Sequence, residues 1–371
     1  MRAMRQYACI FLLCLSGVSA CDRVSQTPHN TQSPMLTLRN QLIIPWHTEF
    51  AQANTALAAR IERFCQNPAN PGEYQEARSA WQASFIAWQR ISILHFGPIE
   101  DDNLRTTLYF WPDRFNWVAK HLSNRLNQRD ANSSEFNTPA AQLGLAEIEY
   151  LLFDTLYTDN AALAGAPCDV LRAASNQLNA HAQVLLNKWQ TGEDGAWPAQ
   201  GLTIGSEGET QALQAIVSSL ITSFKRIAQE ELIAPIDNLT QPEAKSLISQ
   251  AWRANLGKSA LLTELKSAHS LIHVGLQPLL NTPSQQALQR TLIEDLNQLS
   301  AELTDTPGEL VFLINTERGR AQLTQAAKHI QKMLANLHAI SQTLKVEVSQ
   351  VIPQKELTQL QPHTPASHNP L

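Results

Sequence analysis

The segment from Leu143 to Phe153 reads Leu-Gly-Leu-Ala-Glu-Ile-Glu-Tyr-Leu-Leu-Phe, apolar around nearly the whole circumference of a helix apart from Glu147 and Glu149. A helix of that kind is buried on most sides. Glu149 falls on the stripe of Leu145 and Leu152, and Glu147 nearer Leu143 and Leu151. A buried, unpaired carboxylate is costly, so each must meet an arginine, a metal or hydrogen-bond donors, or else stay protonated. One reading is a structural ion pair with Arg78, Arg90 or Arg253; the other is a carboxylate that receives a ligand.

Other residue types with chemical capacity are sparse. His269 and His273 stand one helical turn apart, a spacing that would suit a metal, but no glutamate lies between them in HExxH fashion and no third ligand is evident, so a solvated or core pair is expected. No Gly-x-Ser-x-Gly elbow, Walker loop or dinucleotide fingerprint occurs, which leaves nucleophilic and nucleotide chemistry without support. Cys65 and Cys168 are the thiols that remain once Cys9, Cys14 and Cys21 are assigned to the N-terminal leader and its processing site. In an oxidising compartment they form one disulfide, the alternative being two separately buried thiols.

The elements that must position these residues are helices. Tyr74, Trp81, Trp88 and His95 recur every seven residues with Ala77 and Phe85 between them. Leu323, Ile330, Leu337 and Leu344 do the same with Ala326, Met333 and Ile340. Each set predicts a bundle helix with one buried face. Alternating Val, Ile and Thr runs are absent and glycines number only 14, so a sheet is not expected. The fold class is all-α. A Gly- and Pro-bearing loop over 191–208 divides two helical blocks of similar size, 36–190 and 209–348, read as two helical bundles in one continuous body with a hint of duplication. Pro45, Pro98, Pro112 and Pro235 should kink or end helices.

The ends carry an address. Arg2 and Arg5 precede an apolar stretch from Tyr7 to Leu15 that is too short to span a bilayer, followed by Val18-Ser19-Ala20-Cys21. Residues 1–20 read as a signal peptide and Cys21 as a lipidated cysteine, the alternative being an ordinary cleavage site that precedes a cysteine. The polar, proline-interrupted residues 21–35 read as a flexible tether, and 349–371 as a disordered tail. The expected location is periplasmic, as a lipoprotein on a bacterial membrane. Asp22 after the cysteine favours the inner membrane without removing the outer one. The formal charge of −5 becomes −7 once Arg2 and Arg5 leave with the signal. With Lys and Arg scattered and no nucleic-acid motif, the membrane is an expected partner and nucleic acid is not.

The ordered set Ile43-Ile44-Pro45-Trp46, Phe64-Cys65, Trp81, Trp88, Phe96-Gly97-Pro98, Phe110-Trp111-Pro112-Asp113 and Gly144 to Leu152, with Ala251-Trp252-Arg253 later, resembles the imelysin-like family across about 41–345. That family is also classed as a peptidase group and includes iron-regulated proteins. The resemblance implies two helical-bundle domains, a periplasmic or outer-surface location and a link to iron acquisition. The family motif Gly-x-His-x-x-Glu is matched at Gly144 and Glu149, but Ala146 stands where the histidine belongs. Alanine cannot ligate, so any iron or other divalent metal would need Glu149 with ligands from elsewhere. The ligand site is expected around Gly144, Ala146, Glu147 and Glu149, with Trp88, Trp111 and Arg253 from other elements. Three functions remain open: a lipid-anchored binding or accessory protein in iron or metal acquisition, a metallopeptidase, and a non-catalytic interaction protein with a decayed site.

Overall fold

The computed structural model describes residues 33–113, 116–127, 144–157, 159–237 and 249–348. The expected signal peptide, Cys21, Asp22, most of the expected tether and the expected tail lie outside these residues. Thirteen α-helices occur among the described residues and no strand; an isolated bridge joins Tyr109 to Gly144. The first block contains α1 (Pro34–Leu38), α2 (Ile44–Gln66), α3 (Pro71–Ser92), α4 (Leu104–Leu108), α5 (Trp117–Asn127), α6 (Leu145–Phe153) and α7 (Ala166–Thr191). The second contains α8 (Glu207–Arg226), α9 (Ala234–Asp237), α10 (Gly257–Leu271), α11 (Pro283–Asp305), α12 (Leu310–Ile314) and α13 (Glu317–Thr343). None of the described helices is long and apolar enough to cross a membrane.

The predicted stripes are the buried faces. On α3, Tyr74, Ala77, Trp81, Phe85 and Trp88 are buried, and on α13 Leu323, Ala326, Ile330, Met333, Leu337 and Ile340. Such stripes are stable only when packed together. In the first block α2 packs between α3 and α7, with α6 against α3 and α7; in the second, α13 collects α8, α11 and α12. His95 departs from its expected register, because α3 ends at Ser92 and the histidine falls in the loop beyond it.

The two blocks pack into one compact body. Helix α10 of the second block lies on α3 of the first. The chain start also crosses over: α1 begins at Pro34, two residues ahead of the expected boundary, and packs on the second block. There the buried Ser33 hydroxyl donates to Glu209, itself on α8, at 2.7 Å. The 191–208 loop is packed rather than slack. Its Trp197 stacks on Phe96 with ring centroids 4.7 Å apart, and meets Trp189 edge-on at 5.8 Å.

Two of the four prolines expected to break helices are passed by a different device. π turns occupy Arg39–Ile43, Ile227–Ile233 and Ile272–Leu276, and each ends two residues before a proline: Pro45, Pro235 and Pro278. A proline has no N–H to give and its ring collides with the carbonyl one turn back. Widening the preceding turn to i→i+5 bonding relieves both problems while the helix continues. Pro98 instead sits in a 3-10 turn, Gly97–Asn103, and Pro112 in the non-helical stretch between α4 and α5.

A disulfide joins Cys65, near the end of α2, to Cys168, in the first turn of α7, with Cα atoms 5.5 Å apart and a sequence separation of 103. Closing so long a loop removes much entropy from the unfolded chain. Replacing both cysteines by alanine should lower the unfolding free energy by about 2–5 kcal/mol in urea melts; an unchanged midpoint under oxidising conditions would contradict this.

Candidate functional site

Every residue of α6 is buried, as its composition predicts. The helix is held at both ends by polar tips of the α3 aromatic stripe: Trp81 Nε1 donates to the Leu145 carbonyl at 2.9 Å and the Tyr74 hydroxyl to the Leu152 carbonyl at 2.7 Å. Its start is fixed by Gly144, at φ +53°, where a Cβ would stand 2.2 Å from the Leu108 carbonyl oxygen. Only glycine permits that approach, which also brings Tyr109 alongside the start of α6.

The two carboxylates of α6 have different fates. Glu147, fully buried, forms an ion pair with the buried Arg125 of α5. This partner differs from Arg78, Arg90 and Arg253, the three expected. Arg78 instead lies over the Phe153 ring at 4.4 Å, and Arg90 pairs with Glu49. Breaking a buried pair of this kind costs about 3–5 kcal/mol, so Glu147 reads as structural.

Glu149 is 3% exposed, and its Oε1 accepts from the backbone N–H groups of Arg253 at 2.9 Å and Ala254 at 3.2 Å. The Arg253 guanidinium does not reach it. That group donates to Asp154 at 2.7 Å and lies over the rings of Tyr150 and Trp252 at 4.5 and 4.4 Å. Burial pushes the Glu149 carboxyl up to about 7, against the opposing pull of the nearby Arg253 charge and the two amides. The segment that provides those amides crosses from the second block in a tight path, with Ala251 at φ +46° and Asn255 at φ +58°. The Ala251 N–H donates to the Tyr109 hydroxyl at 2.9 Å.

A small cavity of about 20 Å³ is lined by Tyr109, Trp111, Ala146, Glu149, Ser249 and Trp252 among others. It has room for roughly one water molecule. Arg253 is also on its wall, so of the expected partners Trp111 and Arg253 meet Glu149 there, whereas Gly144 and Glu147 do not line it. Asp113 does, but its two oxygens accept from the Trp117 and Val118 N–H groups at 2.5 and 3.1 Å. Trp88 lines a second cavity, of about 60 Å³, which shares Tyr109 and Trp111 with the first.

Behind that second cavity stands a cluster the motif did not reveal. Arg226 forms ion pairs with both Glu231 and Glu264, and Gln250 Nε2 donates to the same two carboxylates at 2.9 and 3.1 Å. Gln250 in turn accepts from Gln89 of α3 at 2.8 Å. Burial, and then the charge of Glu264, push the Glu231 carboxyl up to about 7, with Arg226 opposing. Arg226 and Glu231 are five residues apart, about 140° around an α-helix, and the π turn brings them to one side. Glu264 carried a signal: it interrupts the buried stripe of Ala260, Leu261, Leu265 and Ala268 as Glu149 interrupts its own. Glu231 carried none, because its placement depends on the π turn.

His269 and His273 stack with ring centroids 6.3 Å apart, and His273 borders an open groove of about 610 Å³ that shares no residue with the Glu149 cavity. Among the described residues no group of three or more His, Cys, Asp or Glu is placed to hold a metal.

The described residues form an all-helical fold of two packed blocks. The model of the Imelysin family, a peptidase family by classification, matches residues 43–338, and the chain belongs to that family. Among solved structures, an imelysin-like protein from Psychrobacter arcticum 273-4 superposes with a TM-score of 0.67 at 17% identity, covering 85% of this chain and 96% of that one. A candidate iron-regulated protein A precursor from Parabacteroides distasonis ATCC 8503 gives 0.64 at 14% identity, covering 83% and 94%. At these identities the likeness is one of fold. No curated protein matches the sequence.

The raised carboxyl of Glu149 makes a prediction. An acid whose folded-state pKa lies above its unfolded value near 4.5 contributes stability that is fully present below pH 4.5 and lost as pH rises through about 7. Relative to Glu149→Gln, which does not titrate, the wild type should therefore lose on the order of 3 kcal/mol between pH 4.5 and about 8 in paired urea titrations. A stability difference that does not change with pH would show that the group ionises normally.

Proposed function

We propose that this chain is a binding or accessory protein of an iron- or metal-related uptake system, held at a bacterial membrane by a lipid on Cys21 and exposed to the periplasm. The observation that carries the proposal is Glu149: a buried carboxylate on a cavity wall, with Oε1 fixed by two backbone amides of the second block. Membership of the imelysin family supports the reading, as does the fold shared with a candidate iron-regulated protein A precursor.

The residues do not fit a tight metal cage. Ala146 occupies the motif's histidine position and lines the cavity without a ligating atom. Asp113, the other carboxylate on the wall, is engaged by two amides. A hydrolytic zinc centre normally takes three protein ligands and an open position. The donor set here therefore favours a ligand held by hydrogen bonds and charge over metallopeptidase chemistry. The same alanine favours a second reading, a non-catalytic interaction protein whose site has decayed.

Titrating ferrous iron, zinc, copper and haem against the pure protein separates these readings. At least one probe should bind, and Glu149→Gln should abolish that binding with little change in melting temperature at neutral pH. If none of the four binds, the interaction reading replaces the binding one. Nanomolar zinc affinity lost in Glu149→Gln, or proteolysis sensitive to a chelator, would instead revive the peptidase.

The anchor is tested separately. Cys21→Ser should move the protein from the membrane fraction to the soluble periplasmic extract; equal membrane recovery of the two forms would dismiss the lipid assignment.

A further inference from the structure

Among the residues that line the cavity of Trp88, His95, Arg105, Trp111 and Arg226, two carry buried ring nitrogens without partners. Trp111 Nε1 is buried with no hydrogen-bond partner, and an indole nitrogen can only donate. His95 Nε2 is likewise buried and unpartnered, and it donates in the tautomer that carries the ring proton there. Most of the acceptors on the same wall are already engaged. Glu264 takes Arg226 on one oxygen and Gln250 on the other, the Gln250 carbonyl oxygen takes Gln89, and the Tyr109 hydroxyl accepts from Ala251. Buried donors left without partners are costly, so a site of this composition is completed by a group that brings acceptor atoms.

Its electrostatics point the same way. Burial first, and then the charges of Arg105 and Arg226, hold the His95 imidazole well below its ordinary range. The wall itself sets two guanidinium groups, Arg105 and Arg226, against one carboxylate, Glu264. Glu231 and Glu264 act on Arg226, and so keep that guanidinium in place without using the unpartnered donors. Arg105 is positioned independently, by the Ser92 and Leu94 carbonyls at 2.7 and 2.6 Å and by Glu100. The volume of about 60 Å³ is several times the roughly 10–15 Å³ that one ordered water requires, enough for a small polyatomic group. The walls are largely flat, being the rings of Trp88, Tyr109 and Trp111, with the Arg226 guanidinium 5.9 Å from the Trp111 centroid.

We propose that this cavity is a binding site for a small planar oxyanion, a carboxylate or bicarbonate group, received by the Trp111 N–H and the His95 imidazole between the guanidinium groups of Arg105 and Arg226. The site shares Trp111 with the Glu149 cavity, but none of its four groups requires a metal or the Glu149 carboxylate. Charge-assisted hydrogen bonds from a guanidinium or an aligned N–H are the ordinary means of holding such a group.

The test is calorimetric titration of the full mature chain, in metal-free buffer at constant ionic strength, with sodium acetate, bicarbonate and phosphate against a chloride reference. Acetate or bicarbonate should bind and raise the melting temperature, while tetrahedral phosphate should do so less. Trp111→Phe keeps a ring but removes the N–H, and should weaken binding about tenfold or more. Trp117→Phe, an exposed tryptophan on α5, should bind as the wild type does. Should Trp111→Phe fail to fold, His95→Leu is read by the same criterion. Absence of any effect beyond chloride, or equal affinity in wild type and the donor variant, would overturn the proposal. Because metal is excluded throughout, failure here leaves the Glu149 reading untouched, and failure of that reading leaves this one standing.

Discussion

A carboxylate cannot be buried in a helix bundle without donors, and the answer to that constraint at Glu149 organises the centre of this molecule. The donors are the backbone N–H groups of Arg253 and Ala254, which lie more than a hundred residues away in the second block. For those amides to face α6, the 249–254 segment must enter the first block. It does so with Ala251 in left-handed backbone geometry and with the Tyr109 hydroxyl accepting the Ala251 N–H. The same passage places Gln250 against Glu231 and Glu264. One short segment thus serves two buried acidic sites, and both cavities form where it passes between the blocks.

Proline contributes to the same centre by an indirect route. The helices that carry on through Pro45 and Pro235 widen first into π turns, and the helix that ends just after Pro278 does the same. At Pro235 this rotates Glu231 onto the side of Arg226, and the pair then reaches Glu264 on α10. A backbone adjustment demanded by an imino acid therefore sets the side-chain geometry of a buried ion cluster. Leu42-Ile43-Ile44-Pro45 and Leu232-Ile233-Ala234-Pro235 share this pattern, one in each block, which is consistent with the similar sizes of the two halves.

Much of the architecture was legible because burial of amphipathic stripes is a local property. The seven-residue spacing on α3 and α13, the apolar circumference of α6 and the placement of Cys65 and Cys168 at helix ends follow from residue order. His95 shows the limit of that logic: the stripe counts it, but the helix ends three residues earlier, and the histidine faces a cavity instead of continuing the α3 core.

The sequence by itself determined the helical class, the family and the burial of Glu147 and Glu149, because each depends on residue type at a local spacing. Only the tertiary structure decided which partner each acid received. Arg125 took Glu147, and Glu149 was left to two amides whose availability depends on the backbone path of a distant segment. The Arg226 cluster was decided in the same way, since no pattern along the chain reports that a π turn has brought residues 226 and 231 to one face or that α10 lies on α3. Hydrogen-bond satisfaction in a low-dielectric interior is a global account, and it closes only once every element is in place.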